Sequence, residues 1–228
     1  MALHITLDFL RDLAANNNRK WFNDHRRQYE EARAAFEALI DAVLVGFDQV
    51  DDFRTMTAKD VIHRINRDVR FSADKSPYNT AMSAVIGPDG RKSLSRLYYI
   101  RLEPGDQTII ASGAISLSSE ELQVIREAIL QDAAPLRTLI EAETFQQQFG
   151  SLMGEQLKTA PRGFPKDHPN VDLLRYKEFM AQRRFIDDEV IGPDFGEQII
   201  VTCQALKPLT MYFYELLGDR TVTTRGQG

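Results

Sequence analysis

The stretch MSAVIGPDGRKSLSRLYYIRLEPGDQTIIASGAI, residues 82–115, decides the fold class of this chain. Three apolar runs lie within it, at residues 82–86, 97–103 and 108–115. They are separated by Gly87-Pro88-Asp89-Gly90 and by Pro104-Gly105-Asp106, whose residue types are typical of tight turns. Short apolar runs joined by such turns predict an antiparallel meander of strands.

Upstream of these runs, residues 61–72 alternate apolar and polar side chains in the manner of a half-buried strand. Ile65 and Val69 fall on one face of that strand, and Arg64 and Arg70 fall on the other. The β-branched residues of this segment favour a strand over a helix. The sequence therefore predicts a sheet of about four strands.

Helical periodicity flanks the strands on both sides. Apolar residues three and four positions apart predict a short helix capped by Thr6, then helix from about residue 19 to 49 with a possible break near His25. After the strands, residues 118–121 (SSEE) have the spacing of a capping box. A last helix is expected over about residues 195–217.

Helices before and after antiparallel strands predict the α+β fold class, an antiparallel sheet packed with N-terminal and C-terminal helices. Residues 176–185 fit either a strand or a helix. No internal repeat or low-complexity tract interrupts the chain. We expect a single domain over residues 1–220 and a flexible C-terminal tail over residues 221–228.

Composition is that of an ordinary globular chain, with 43% hydrophobic and 27% charged residues among 228. The absence of a long apolar run or an apolar leader predicts no membrane span, no secretory signal and a cytoplasmic location. The single cysteine, Cys203, excludes an internal disulfide. The four histidines lack ligand spacing, so we expect no metal site and no cofactor, and His63 fits a hydrogen-bonded core residue.

Charge is unevenly distributed along the chain. The sequence has 28 basic and 33 acidic residues, a net charge of −5, which makes nucleic acid an unlikely partner and does not favour an anionic membrane. Between Arg54 and Arg101, ten basic residues accompany four acidic ones, a local charge of +6. A positive region on an acidic chain indicates either an anion-binding face or intramolecular ion pairs.

The polar segment from Arg64 to Tyr78 is the densest part of this region. Guanidinium groups donate in a fork that suits phosphate or carboxylate, and Lys75 adds a compact cation. Arg67 lies among apolar neighbours in the strand pattern, so it should have a fixed partner, which could be Asp74, a carboxylate from a helix or loop carbonyls. The candidate ligand-binding residues are Arg64, Arg67, Arg70, Lys75 and Tyr78.

Arg67-Asp68-Val69-Arg70-Phe71-Ser72, followed by Asp74-Lys75-Ser76-Pro77-Tyr78, closely resembles the signature of the domain of unknown function 2461 family. The similarity extends to Asn18-Arg19-Lys20-Trp21-Phe22 near the start and to Asp167-His168-Pro169 later. The resemblance implies an α+β domain of bacterial origin, and it implies no established reaction, cofactor or partner. In that family a Lys usually follows the Pro-Tyr pair, where this chain has Asn79.

Three functions are compatible with these residues. The first is a binding or accessory protein whose cationic patch accepts a small anion or a phosphate-bearing ligand. The second is a hydrolase acting on a phosphate or acyl bond, with Asp68 or His168 as catalytic base and the arginines stabilising negative charge. The third is a structural or protein-interaction domain, in which Arg67 and Asp74 only hold a loop. The sequence contains no indication of an oligomeric state.

Overall fold

The computed structural model describes residues 2–222 of the chain. The helices are α1 (Leu3–Ala15), α2 (Arg19–Asp24), α3 (Arg26–Gly46), α4 (Ala58–Val61), α5 (Ser119–Gln131), α6 (Ala134–Glu141), α7 (Glu143–Phe149), α8 (Val171–Leu174), α9 (Asp187–Ile191) and α10 (Phe195–Leu217). Short 3-10 turns lie at Phe47–Gln49 and Gly90–Lys92. The strands are β1 (Met82–Ile86), β2 (Tyr98–Leu102), β3 (Thr108–Ala114) and β4 (Phe179–Phe185).

The four strands form one antiparallel sheet in the order β1-β2-β3-β4. This arrangement confirms the predicted α+β class and the three strands of the meander, and it shows that residues 176–185 contain a strand. Gly105 and Asp106, between β2 and β3, both have positive φ, 78° and 61°. The register pairs Arg101 with Ile109, which leaves an odd number of residues in the turn, and Gly105 takes the left-handed conformation at its centre without the steric cost of a Cβ.

One face of the sheet is buried and the other is partly open. Tyr98, Ile100 and Leu102 of β2 lie on the buried face, where α10 packs along β3 and α3 packs against α10. Tyr99 and Arg101 alternate with them and are half-exposed on the other face. The helices therefore leave part of the sheet accessible beside β1 and β2.

The predicted strand over residues 61–72 is wrong. Helix α4 extends into the start of this segment, and two isolated bridges, Ile62–Ala84 and Asn66–Tyr78, join the next residues to the edge of the sheet. Beyond these bridges the chain leaves the sheet and forms a loop, because no neighbouring strand continues the pairing. The alternation in the sequence corresponds to an irregular extended segment.

The predicted helix boundaries are confirmed in part. Helix α1 begins before Thr6, so Thr6 is not its cap; the buried hydroxyl of Thr6 instead donates to the carbonyl of Ala32 in α3, at 2.9 Å. The predicted break near His25 is confirmed, since it separates α2 from α3. The capping box at residues 118–121 and the last helix, α10, are also confirmed.

A continuous hydrophobic cluster contains buried side chains from the helices and from the sheet. It supports the single domain over residues 1–220, which stays a prediction. After α10, the Val222 N–H donates to the Lys92 carbonyl at 2.8 Å, so the start of the predicted tail pairs with the loop before β2. The rest of that tail, residues 223–228, lies outside the described residues. No helix within residues 2–222 is both long and apolar enough to cross a membrane.

Candidate functional site

A cleft of about 830 Å³ lies on the open face of the sheet. Ser83 of β1 and Tyr99 and Arg101 of β2 line one wall. Ser83 pairs with Arg101 across the two strands, and Tyr99 follows on the same face, so the three side chains are neighbours. The opposite wall is formed by residues 63–81. This wall contains most of the polar segment that the sequence singled out.

A bulge at the edge of β1 shapes that opposite wall. The bridges Ile62–Ala84 and Asn66–Tyr78 enclose three residues on one segment and five on the other. Two extra residues therefore loop out just before β1. Arg64 is the middle residue of the shorter segment, so it lies opposite the bulge and lines the cleft.

Arg67 has the fixed partner that the sequence predicted. Its guanidinium pairs with Asp74, and it also donates to the Ser76 carbonyl at 3.3 Å and the Ser72 hydroxyl at 3.4 Å. Asp74 accepts hydrogen bonds from the Ser76 hydroxyl at 2.7 Å and from its N–H at 2.9 Å. These bonds from Ser76, and then the pairing with Arg67, hold the pKa of Asp74 well below its usual value. The Asp74 side chain is 60% exposed, so the pair closes the loop of residues 68–76 without being buried.

Arg70 and Lys75 do not line the cleft. The Nε and Nη2 groups of Arg70 donate to the two carboxylate oxygens of Asp68, at 3.0 and 2.7 Å. This hydrogen bonding lowers the pKa of Asp68 to about 2. The Nζ of Lys75 donates to the Val69 carbonyl at 3.0 Å. Both cations are therefore engaged within their own loop.

Tyr78 lines the cleft and is buried. Its ring stacks on Phe22, with centroids 3.9 Å apart and planes inclined by 15°. The Asn17 side chain holds its backbone, donating to the Tyr78 carbonyl at 2.9 Å and accepting from its N–H at 3.2 Å. Tyr78 therefore fixes the wall of the cleft to helix α2 and to the connection between α1 and α2.

Arg64 differs from the other arginines of the cleft. Arg67 pairs with Asp74, and Arg101 pairs with Glu103 at 2.5 Å. Within the described part of the chain, residues 2–222, the exposed Arg64 side chain makes neither a hydrogen bond nor an ion pair. Its five N–H donors are therefore available to a ligand.

His63, which the sequence indicated as a core residue, instead lines the cleft next to Arg64. Its backbone N–H donates to the Ser83 carbonyl at 2.9 Å, which places it against β1. Desolvation of the ring, and then the positive charge of Arg91, lower the pKa of the imidazole. The neutral form of His63 is therefore favoured at physiological pH, and the ring can both donate and accept one hydrogen bond.

The residues of the sheet that line the cleft were not identified from the sequence. Tyr99 and Arg101 both lie in β2, and their alternation with buried neighbours places them on a common face. The alternating pattern of β2 was therefore enough to predict that Tyr99 and Arg101 lie side by side on one face of the sheet. Ser83 could not have been added, because its position beside Arg101 depends on the register between β1 and β2.

The two catalytic candidates are not brought together. Asp68 lines the cleft, whereas His168 lies beside a separate depression with Asp132 and Arg137. The Nδ1 of His168 accepts a hydrogen bond from the Asn170 N–H at 3.2 Å. Among residues 2–222, no group of three or more His, Cys, Asp or Glu side chains could hold a metal ion.

Comparisons with known proteins bear on the family alone. The curated proteins and the solved structures contain no match to this chain. The family described as "Conserved hypothetical protein (DUF2461)" matches residues 5–212, a range that includes the sheet and the whole cleft. Asn79, where the sequence departs from the pattern of that family, lines the cleft, so a neutral amide stands there in place of a cation. The resemblance noted in the sequence is confirmed, and the chain belongs to the DUF2461 family of conserved hypothetical proteins.

Proposed function

We propose that this protein binds a small anion, such as a phosphate, a phosphate ester or a carboxylate, in the cleft beside Arg64. The observation that carries the proposal is the exposed guanidinium in this cleft, which forms no ion pair within residues 2–222. Asp68, whose pKa is lowered by hydrogen bonds from Arg70 and also by the charge of Arg64, is already paired with Arg70. In the loop beside Arg64, Arg67 pairs with Asp74, and Lys75 donates to a backbone carbonyl and does not line the cleft. Among the basic side chains of this segment, Arg64 is the one that lines the cleft without a partner in residues 2–222.

An anion in the cleft meets donors from both walls. Arg64 lies on one wall, and Arg101 and the Ser83 hydroxyl lie on the other. The ion pair of Arg101 with Glu103 uses its Nη2 group, which leaves the remaining N–H groups of the fork free to donate. Guanidinium groups of this kind suit the oxygen atoms of phosphates and carboxylates.

The expected affinity is modest because the cleft is open to water. One charge-assisted hydrogen-bonded contact contributes about 1.5–3 kcal/mol, and a second arginine that is already paired contributes less. A total of about 4 kcal/mol corresponds to a Kd of about 1 mM. Since salt screens exposed charges, the affinity should fall as ionic strength rises.

The other two functions are less well supported by this geometry. A hydrolase using Asp68 and His168 needs both side chains near one reacting bond, and they line different cavities. A structural role accounts well for Arg67, Arg70 and Lys75, whose partners all lie within the loop. It does not account for Arg64.

Isothermal titration calorimetry with inorganic phosphate at low salt tests the proposal. Arg64→Ala should weaken binding at least about tenfold, the loss expected when a charge-assisted contact is removed. Arg27→Ala is the matched control, because it makes the same chemical change at an exposed arginine outside the cleft, and it should change the affinity less than about twofold. The proposal fails if the wild-type protein does not bind phosphate, or if both variants lose the same affinity.

A further inference from the structure

The cleft is much larger than a simple anion. Each molecule in liquid water occupies about 30 Å³, so a cleft of about 830 Å³ corresponds to roughly 25–30 water molecules. Pockets for whole organic ligands span about 300–1,000 Å³. Inorganic phosphate at Arg64 would therefore leave most of the cleft filled with water, and a ligand with a further, uncharged part fits it better.

The side chains around Arg64 offer free hydroxyl and amide groups. Within the part of the chain that the structure describes, these groups make no hydrogen bond to the protein. They belong to the extended segment, the bulge and the sheet: Asn66, Asn79, Thr80, Ser83 and Tyr99. The uncharged polar groups are thus distributed over both walls, so one compact ligand can contact several of them.

We propose that the ligand is a phosphorylated carbohydrate, an inference that rests on the proposed anion binding. The phosphate group pairs with Arg64, and the sugar hydroxyls exchange hydrogen bonds with the free hydroxyls and amides. Amide and hydroxyl side chains can each donate and accept, as sugar hydroxyls do. The half-buried ring of Tyr99 also offers apolar surface to the C–H groups of a sugar.

A nucleotide fits the same cleft less well. Binding of a nucleobase depends on an aromatic face on which the base can stack. One face of the Tyr78 ring is already covered by Phe22, at 3.9 Å between centroids. Phe71 is 96% exposed but does not line the cleft. The Tyr99 and His63 rings line the cleft outside the described aromatic stacks, but the free hydroxyl and amide groups are more numerous, so the lining favours a hydroxylated group over a flat aromatic one.

Calorimetric titrations of the wild-type protein with four probes test this inference. The probes are glucose 6-phosphate, ribose 5-phosphate, adenosine monophosphate and inorganic phosphate, all at the same low ionic strength. At least one sugar phosphate should bind about tenfold more tightly than inorganic phosphate, as two or three added hydrogen bonds predict. Adenosine monophosphate should bind no more tightly than that sugar phosphate.

Two conservative variants locate the sugar subsite. Thr80→Val and Tyr99→Phe each remove a hydroxyl with little change of shape, and circular dichroism checks that both variants remain folded. Each should weaken the preferred sugar phosphate about three- to tenfold, the loss expected for one or two hydrogen bonds, and should leave inorganic phosphate within about twofold. Arg64→Ala should weaken both ligands.

The possible results separate the two proposals. If the sugar phosphates bind no more tightly than inorganic phosphate, or if adenosine monophosphate binds most tightly, the carbohydrate inference is overturned while anion binding stands. The inference is also overturned if neither hydroxyl variant affects the sugar phosphate. If the wild-type protein binds none of the four probes, both proposals fail.

Discussion

Replacing Arg96 by Met should strongly destabilise the protein. Arg96 pairs with Asp51, whose side chain is 4% exposed, and its own side chain is 20% exposed. Its guanidinium lies 4.8 Å from the ring centroid of Phe53 and 5.3 Å from that of Tyr214. Strand β2, which carries Tyr99 and Arg101 of the cleft, begins two residues later. The pair therefore fixes the entry into this strand.

The Arg96→Met change leaves the buried carboxylate of Asp51 without its cation. Removing one partner of a buried pair costs about 3–5 kcal/mol. The two lost cation–π contacts add about 0.5–1 kcal/mol each, and apolar contacts of the new Met with the rings offset part of this loss. We expect a net loss of about 3–6 kcal/mol, a large share of the roughly 5–15 kcal/mol by which domains are stable.

Urea denaturation followed by circular dichroism measures this loss. The double variant Asp51→Asn/Arg96→Met removes both charges, and it should be more stable than Arg96→Met because no unpaired charge is then buried. Lys20→Met breaks the fully exposed pair of Lys20 with Asp24 and serves as the control with no expected change. A loss below about 1 kcal/mol in Arg96→Met, or a double variant no more stable than the single one, would refute the reasoning.

Further predictions concern the loop and the sheet. The hydrogen bonds of Asp74 with Ser76 and Arg67 depress the pKa of this carboxyl group below 3.8. The ionised carboxylate therefore stabilises the folded protein above about pH 4, and this contribution is lost as the pH falls further. Asp74→Asn should therefore lower the thermal midpoint at pH 7 more than at pH 2.5, and an equal decrease at both would contradict this. Arg67→Ala should speed amide hydrogen exchange in residues 68–76 but not in the sheet; unchanged exchange in that loop would show that the pair does not close it. At Gly113, with φ 141°, an added Cβ would lie 2.0 Å from a carbonyl oxygen of β4, so Gly113→Ala should cost about 3 kcal/mol or more by urea denaturation. Gly150 also has a positive φ, but an added Cβ there meets open space, so Gly150→Ala should lower the free energy of unfolding by only about 1–2 kcal/mol. Equal losses in the two variants would contradict the steric clash expected at Gly113.

The meander and the long helices were predictable because local patterns decide them. Turn residues separate β1, β2 and β3, and helix α10 has a continuous apolar stripe that ends at Gly218, with φ 68°. Strand β4 was ambiguous because Arg183 takes a position on the buried face of the sheet. Its guanidinium lies 4.4 Å from the Phe185 ring centroid and 3.7 Å from the Glu189 carboxylate. These contacts compensate the charge of Arg183 on the buried face, a position where the strand pattern predicts an apolar residue.

The segment of residues 61–72 shows where local patterns fail. A capping box of Thr57 with Asp60 starts helix α4, so the alternating pattern does not begin a strand. The segment then pairs irregularly with β1 and with the residues before it, and its loop is held by the pairing of Arg67 with Asp74. Strand pairing needs a partner of matching length, and this information is not contained in the segment itself.

The candidate site was predicted in part for the same reason. A fixed partner for Arg67 was expected, with Asp74, a helix carboxylate and loop carbonyls as alternatives, and the structure shows Asp74 together with the Ser76 carbonyl. The strand on which that expectation rested does not form, and the pair is partly exposed. Which cation stays free was not predictable, because Arg64, Arg67 and Arg70 are chemically equivalent in the sequence. Their different surroundings depend on the bulge beside β1 and on the path of the loop.

Anomalous diffraction from crystals of the wild-type protein soaked in sodium selenate tests the central claim most directly, because it locates a phosphate-like anion relative to Arg64. Anion binding predicts a selenium peak in the cleft, within hydrogen-bonding distance of the Arg64 guanidinium, and no comparable peak beside Arg70. The claim is contradicted if Arg64 is found paired with a carboxylate of its own chain, or if selenate well above about 1 mM leaves the cleft unoccupied.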